Sequence, residues 1–233
     1  MNEGYYPYFR EEMKIMWSIL IGALFLLVVP PAFAAEQTGQ PATDSLQAAY
    51  VETISTARKA VNKYGITDSA MTQIQAALAK LAAKPSLKER AQYQHLHGSA
   101  GANAAMLTSE GEDGISLFIV RFDSGQATPV HDHLTWGVVH VLEGRDLYMH
   151  WEPRYSGKDS SQVELRIARE SILEPGSSVY WFGPPHDLHS QEAKGATVWE
   201  LVLAGRNLLS PLVLEHRHYY DPKTGRVTKT PPK

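Results

Sequence analysis

What most constrains this chain is its punctuation. From Gly98 onward, β-prone runs such as Ile115 to Phe122 and Val138 to Leu142 are cut at short intervals by Gly144, Pro153, Gly157, Pro175-Gly176 and Gly183-Pro184-Pro185. Glycine and proline at that spacing set turns and leave room only for short strands, so the back of the chain reads as a sandwich or barrel. The front has a different period. Asp44 or Ser45 caps a helix carrying Leu46, Ala49, Tyr50, Ile54, Ala57 and Val61 on one face, and Gly65 stands where a left-handed C-cap belongs. Thr67 or Asp68 caps a second helix striped by Met71, Ile74, Leu78 and Leu81 and stopped by Pro85, and a third, short helix is expected over Leu87 to His95. These stripes are packing surface, which predicts a helical layer leaning on the strands.

The 233 residues include no Cys and ten His. Disulfides, thiolate metal sites, iron–sulfur clusters and a Cys nucleophile are excluded together, leaving imidazole to carry any metal or proton chemistry. A net charge of -3 gives no field that favours nucleic acid or an anionic membrane. The histidines concentrate at His131-Asp132-His133, where alternate strand positions project two imidazoles into one space and turn Asp132 the other way. Gly125 stands five residues before the pair, Gly137 three residues after it and Gly144 six residues further on. Downstream, Pro175-Gly176 turns into Ser177 to Phe182, Gly183-Pro184-Pro185 turns out of it, and His186 and His189 follow.

This frame matches the first cupin motif at every spacing, with Gly137 where many cupins place a metal-binding Glu. The resemblance implies a mainly β fold, the cupin double-stranded β-helix or jelly-roll barrel, here with an N-terminal α-helical layer. It also implies a metal held by His131, His133 and His189. His186 occupies the motif's usual glycine, as a competing ligand or as a surface residue of the turn. More narrowly, Thr128 to Gly144 (TPVHDHLTWGVVHVLEG) resembles bacterial thiol dioxygenases of the cysteine dioxygenase and 3-mercaptopropionate dioxygenase type, which share HDH, a TWG-like element and VLxG. Tyr220-Asp221-Pro222-Lys223-Thr224-Gly225 is a weaker echo, and the resemblance runs from Ile115 to roughly Tyr219. It implies a mononuclear non-heme Fe(II), with Mn, Ni and Zn as alternatives, and O2 as co-substrate in oxidising a small thiol or anionic substrate. Three neutral ligands leave the metal its full charge, which favours binding an anionic thiolate.

Two devices of those enzymes have no counterpart. Their Ser-x-His-x-Tyr triad is replaced by Val198-Trp199-Glu200-Leu201-Val202-Leu203-Ala204, and Ala102 to Leu107 stands where they place a carboxylate-gripping Arg or Gln. The catalytic candidates that remain are Glu200, His150 and Arg121. Glu200 lies in an apolar strand where a charge needs a partner, as an inward base or an outward solvated residue. Arg121 is a substitute anion grip or a solvated strand residue, and His140 and His150 are hydrogen-bonded core or pocket residues. Trp136, Tyr148, Trp151, Tyr180, Trp181 and Trp199 are numerous enough to wall an aromatic pocket. His95, His97, His216 and His218 repeat the H-x-H spacing without the cupin frame and read as surface. Competing with the dioxygenase reading are a non-catalytic periplasmic metal- or ligand-binding cupin and a cupin isomerase or decarboxylase.

Ile15 to Val29 is an apolar run preceded by Lys14 and followed by Ala32-Phe33-Ala34, the layout of a signal peptide cleaved after Ala34. The run is shorter than the roughly 20 residues that span a bilayer. The expected organisation is therefore signal peptide 1–34, helical extension 35–97, cupin domain 98–220 and a C-terminal tail 221–233. The expected product is a periplasmic or secreted monomer or homodimer without stable membrane insertion, acting on a small-molecule substrate and not on nucleic acid.

Overall fold

The run Val198 to Ala204 is apolar on both of its alternating faces except at Glu200, so a strand made from it needs cover on both sides. The computed structural model, which describes residues 40–85, 87, 97–99, 102–154 and 162–231, supplies that cover. The chain forms α1 (Gln40–Tyr64), α2 (Asp68–Ala82), β1 (His97–Ser99), β2 (Ala102–Ser109), β3 (Ser116–Phe122), β4 (Val130–His131), β5 (Gly137–Glu143) and β6 (Asp146–Arg154). It continues through β7 (Glu164–Leu173), β8 (Ser178–Trp181), β9 (His189–Ala193), β10 (Val198–Ala204), α3 (Pro211–His216), β11 (Tyr219–Tyr220) and β12 (Val227–Thr228). Two six-stranded antiparallel sheets result, ordered β1-β2-β3-β10-β5-β8 and β12-β11-β4-β9-β6-β7. With helices ahead of the sheets, this is a mainly β architecture of two antiparallel sheets with an N-terminal helical layer, the arrangement that the cupin jelly-roll resemblance implies.

All seven residues of β10 are buried. Val198, Val202 and Ala204 join Phe118, Val139 and Val141 in a core between the sheets. Trp199, Leu201 and Leu203 face the other way and pack with the stripes of α1 and α2. Met71, Ile74 and Leu78 are fully buried there, each worth about 1.5–3 kcal/mol. The helices thus cover the outer face of the first sheet. Gly65, at φ 68°, ends α1 with its N–H donating to the Val61 carbonyl, as its place in the sequence predicts. Thr67 precedes α2 without capping it, because its hydroxyl donates to the Tyr64 carbonyl instead. The expected helix over Leu87 to His95 lies outside the described residues apart from Leu87, as does the segment read as a signal peptide. Among the described residues no helix is long and apolar enough to cross a membrane. The stretch read as a C-terminal tail returns to the second sheet, where Val227 and Thr228 pair with Tyr220 and Tyr219.

Gly137 begins β5 directly opposite Trp181 of β8. A methyl group on Gly137 would run into the Trp181 indole. The position where many cupins carry a ligand Glu is therefore filled by a neighbour's ring, and the glycine is a packing requirement. Gly137→Ala is expected to cost about 1–3 kcal/mol through overpacking, read as a lower urea midpoint with an unchanged denaturant slope.

Candidate metal centre

His131 ends the two-residue strand β4, and His133 lies beyond it in a turn, so the pair is only half strand. What aims the second ring inward is the turn itself. Leu134 takes a left-handed conformation, φ 58°, and Asp187 Oδ2 accepts from the His133 N–H at 3.1 Å and the Leu134 N–H at 2.7 Å. Burial pushes the Asp187 carboxyl up to about 6. Asp132 points away from the metal site and ties β4 to β11: it accepts from the His218 backbone N–H at 2.9 Å and the Tyr220 hydroxyl at 3.1 Å. His189, the backbone partner of His131 across β4 and β9, supplies the third ring.

The three imidazoles are buried and converge. His133 Nε2 lies 3.1 Å from His131 Nε2 and 3.3 Å from His189 Nε2. A metal about 2.1 Å from each nitrogen separates neighbouring nitrogens by about 3.0 Å at right angles and about 3.4 Å at tetrahedral angles. The two pairs that include His133 have the spacing of neighbouring ligands on one ion, and all three ligand atoms lie within 4.8 Å of one another, so the group could hold one transition-metal ion. His131 Nδ1–H donates to the Pro129 carbonyl at 2.8 Å, which leaves the Nε2 lone pair for the metal. Burial first, then the nearby Arg217 charge, lowers His131 to about 3. Burial likewise holds His133 and His189 well below the usual range, so none of the three is protonated near neutral pH. Aromatic rings fix their orientation: Trp181 stacks on His133 at 5.1 Å and lies 4.7 Å from His189, and Tyr148 stacks on His189 at 5.1 Å. The Trp181 Nε1–H is anchored on the Thr135 carbonyl at 2.8 Å.

The imidazoles open onto a cavity of about 90 Å³ lined by apolar residues such as Val120, Val139 and Leu208, with Thr128, Gln191 and Arg217 as its other polar residues. Arg217, 5% exposed, places Nη2 3.0 Å from His133 Nδ1 and donates from it to the Leu208 carbonyl at 3.5 Å, while its Nε–H has no hydrogen bond and no carboxylate among the described residues pairs with it. Sequence reasoning passed over this residue. Its one hint is its place in the His216 to Tyr220 stretch, which the Asp132 bonds and the pairing of β11 with β4 bring to the site.

Glu200 faces the barrel interior and is fully buried. Gln191 Nε2 donates to Glu200 Oε2 at 2.8 Å and to Asp146 Oδ2 at 2.9 Å. Burial raises Asp146 to about 6 and, together with the Asp146 charge, raises Glu200 well above its ordinary value, so the pair holds a proton. The pair stands behind Gln191 and does not line the cavity. Arg121 is not at the site. It lies on the opposite face of β3, half-exposed, paired with Asp123 at 2.7 Å and lying over Trp199, because strand alternation sends Val120 and Phe122 inward instead. His150 lines a separate cavity together with His186. His140 bonds Ser178 Oγ at 2.7 Å. His216 is exposed, and half-buried His218 lies 3.1 Å from Asp132 Oδ2.

No family model matches the chain, and no curated protein matches it. Among solved structures, an oxalate oxidase is 17% identical over 47% of this chain and 53% of its own, with a TM-score of 0.34; the chain thus spans about half of that protein. KdgF from Halomonas sp. is 15% identical over 50% of this chain and 89% of its own, TM-score 0.36. A cupin-like protein from Thermotoga maritima is 20% identical over 52% of this chain and 77% of its own, TM-score 0.34.

Two outcomes test the site. His131→Ala, His133→Ala and His189→Ala should each abolish stoichiometric metal retention in elemental analysis, whereas His186→Ala should retain it. A carboxyl held protonated by the fold stabilises fully below its ordinary value near 4 and loses that contribution as pH rises through its folded value. Glu200→Gln keeps an acceptor for Gln191 without the proton, so it should gain stability relative to the parent between pH 4 and pH 8 in urea unfolding.

Proposed function

We propose that the chain is a metal-dependent cupin oxygenase: a non-heme Fe(II) dioxygenase that oxidises a small thiol or other small anionic substrate with O2. The observation that carries this reading is the pairing, in one small cavity, of three uncharged metal-ligand imidazoles with a buried guanidinium that has no carboxylate partner among the described residues. His131, His133 and His189 would hold the ion, which when bound supplies a Lewis-acidic, redox-active centre with open positions for thiolate and oxygen.

The protein's own residues do the rest. The three rings add no negative charge, so the cavity keeps a positive potential that selects an anion. A ligand lone pair at His133 Nε2 requires the ring proton on Nδ1, and Arg217 then has no acceptor on that ring. Apart from the long bond to the Leu208 carbonyl, its fork is left for a carboxylate or comparable anion of the substrate. Val120, Val139 and Leu208 exclude water, and about 90 Å³ admits a molecule of only a few non-hydrogen atoms. Glu200, paired with Asp146 behind Gln191, positions that amide at the cavity wall and does not meet the substrate directly.

A second reading rests on β10, where Glu200 and its apolar neighbours stand in place of the Ser-x-His-x-Tyr triad. On that reading the protein binds a metal or small anion without turning it over. The signal-peptide layout at the N-terminus supports export to the periplasm or the medium in either case.

The deciding experiment is anaerobic Fe(II) reconstitution followed by oxygen uptake with a panel of thiols. Uptake with a carboxylate-bearing thiol, reduced about tenfold or more in kcat/KM by Arg217→Gln, is the expected result. Retained iron with no uptake from any thiol favours the binding protein.

A further inference from the structure

Two histidines singled out in the sequence take no part in the metal centre. His150 and His186 come together with Arg169 around a second cavity of about 320 Å³. Arg169 is the backbone partner of His150 across β6 and β7, and His186 enters from the turn that precedes β9. Buried Trp181 separates the two cavities and lines both, with Tyr180 and Phe182 continuing the aromatic wall on this side.

The acids nearby are already engaged. Glu152 is paired with Arg166 at 2.5 Å, and Asp68 accepts the Tyr180 hydroxyl at 2.7 Å. Among the described residues Arg169 forms no ion pair. A guanidinium and two imidazoles line this cavity with no carboxylate among its lining residues, an arrangement that an anion would complete. The volume lies at the lower end of the range for small-molecule pockets, roughly 300–1,000 Å³.

The geometry points to a binding site in this second cavity for a small aromatic carboxylate, its carboxylate gathered by Arg169, His150 and His186 and its ring against Trp181 and Phe182. The arginine fork matches a carboxylate with two parallel hydrogen bonds, and imidazoles complete the oxygens' remaining lone pairs. The aromatic wall buries the ring and disfavours a bare inorganic anion, which would gain the charges but leave that surface uncovered. The site stands apart from the metal cavity, whose own guanidinium is Arg217.

The test is a titration of the purified, metal-loaded protein with fluorobenzoate, following its line width by fluorine NMR, with acetate as competitor. Saturable broadening is expected, displaced by benzoate at far lower concentration than by acetate. Arg169→Gln should weaken binding about tenfold or more, His186→Gln should weaken it less, and Arg217→Gln should leave it unchanged. Absence of saturable broadening, undiminished binding to Arg169→Gln, displacement by acetate as readily as by benzoate, or loss of binding in Arg217→Gln would each overturn the proposal. Circular dichroism of the variants, which alter exposed or cavity-facing side chains, verifies that they remain folded.

Discussion

Trp181 packs between the sheets, and much of the interior is arranged around it. Its ring closes over Gly137, its Nε1–H is spent on the Thr135 carbonyl, and its faces rest against His133 and His189. Fixing a large ring in this way removes rotamer freedom from the imidazoles beside it, so they are held for coordination before any ion arrives. The same ring divides the interior into two cavities.

Electrostatics follows from that packing. Burial keeps the three imidazoles neutral, and the Asp146 and Glu200 carboxyls share a proton instead of carrying two charges. Arg217 is left as a buried positive group beside the ligand rings, which is why an anion is the natural guest there. The Asp187 carboxyl bends the ligand loop and the Asp132 carboxyl ties it to β11, two tasks carried out from opposite sides of the same loop.

Some of this was legible in the residues. The glycine spacing around His131 and His133 marks a short strand and a tight turn because each glycine position tolerates conformations other residues resist; Gly125 and Gly144 both adopt positive φ. His189 follows a turn built from Gly183, Pro184 and Pro185, where the cupin resemblance places the third ligand. Arg217 was not legible, since a lone basic residue near the C-terminus carries no periodic mark of burial. Which of the two readings of Arg121 holds was not legible for a related reason: alternation assigns it to one face, but which face is the interior depends on the neighbouring strands.

The sequence by itself determined the short-strand architecture, the helical stripes and the projection of His131 and His133 into one space, because turn chemistry and periodicity are local properties, while His189 entered only through the cupin resemblance. Only the tertiary structure decided that Glu200 faces inward to share a proton with Asp146, that Gly137 gives its space to Trp181, and that Arg217 stands beside His133. It also sent His150 and His186 to a cavity of their own. Those facts depend on which strands pair and in what register, and register follows from the summed packing of both sheets, which no single stretch of residues encodes.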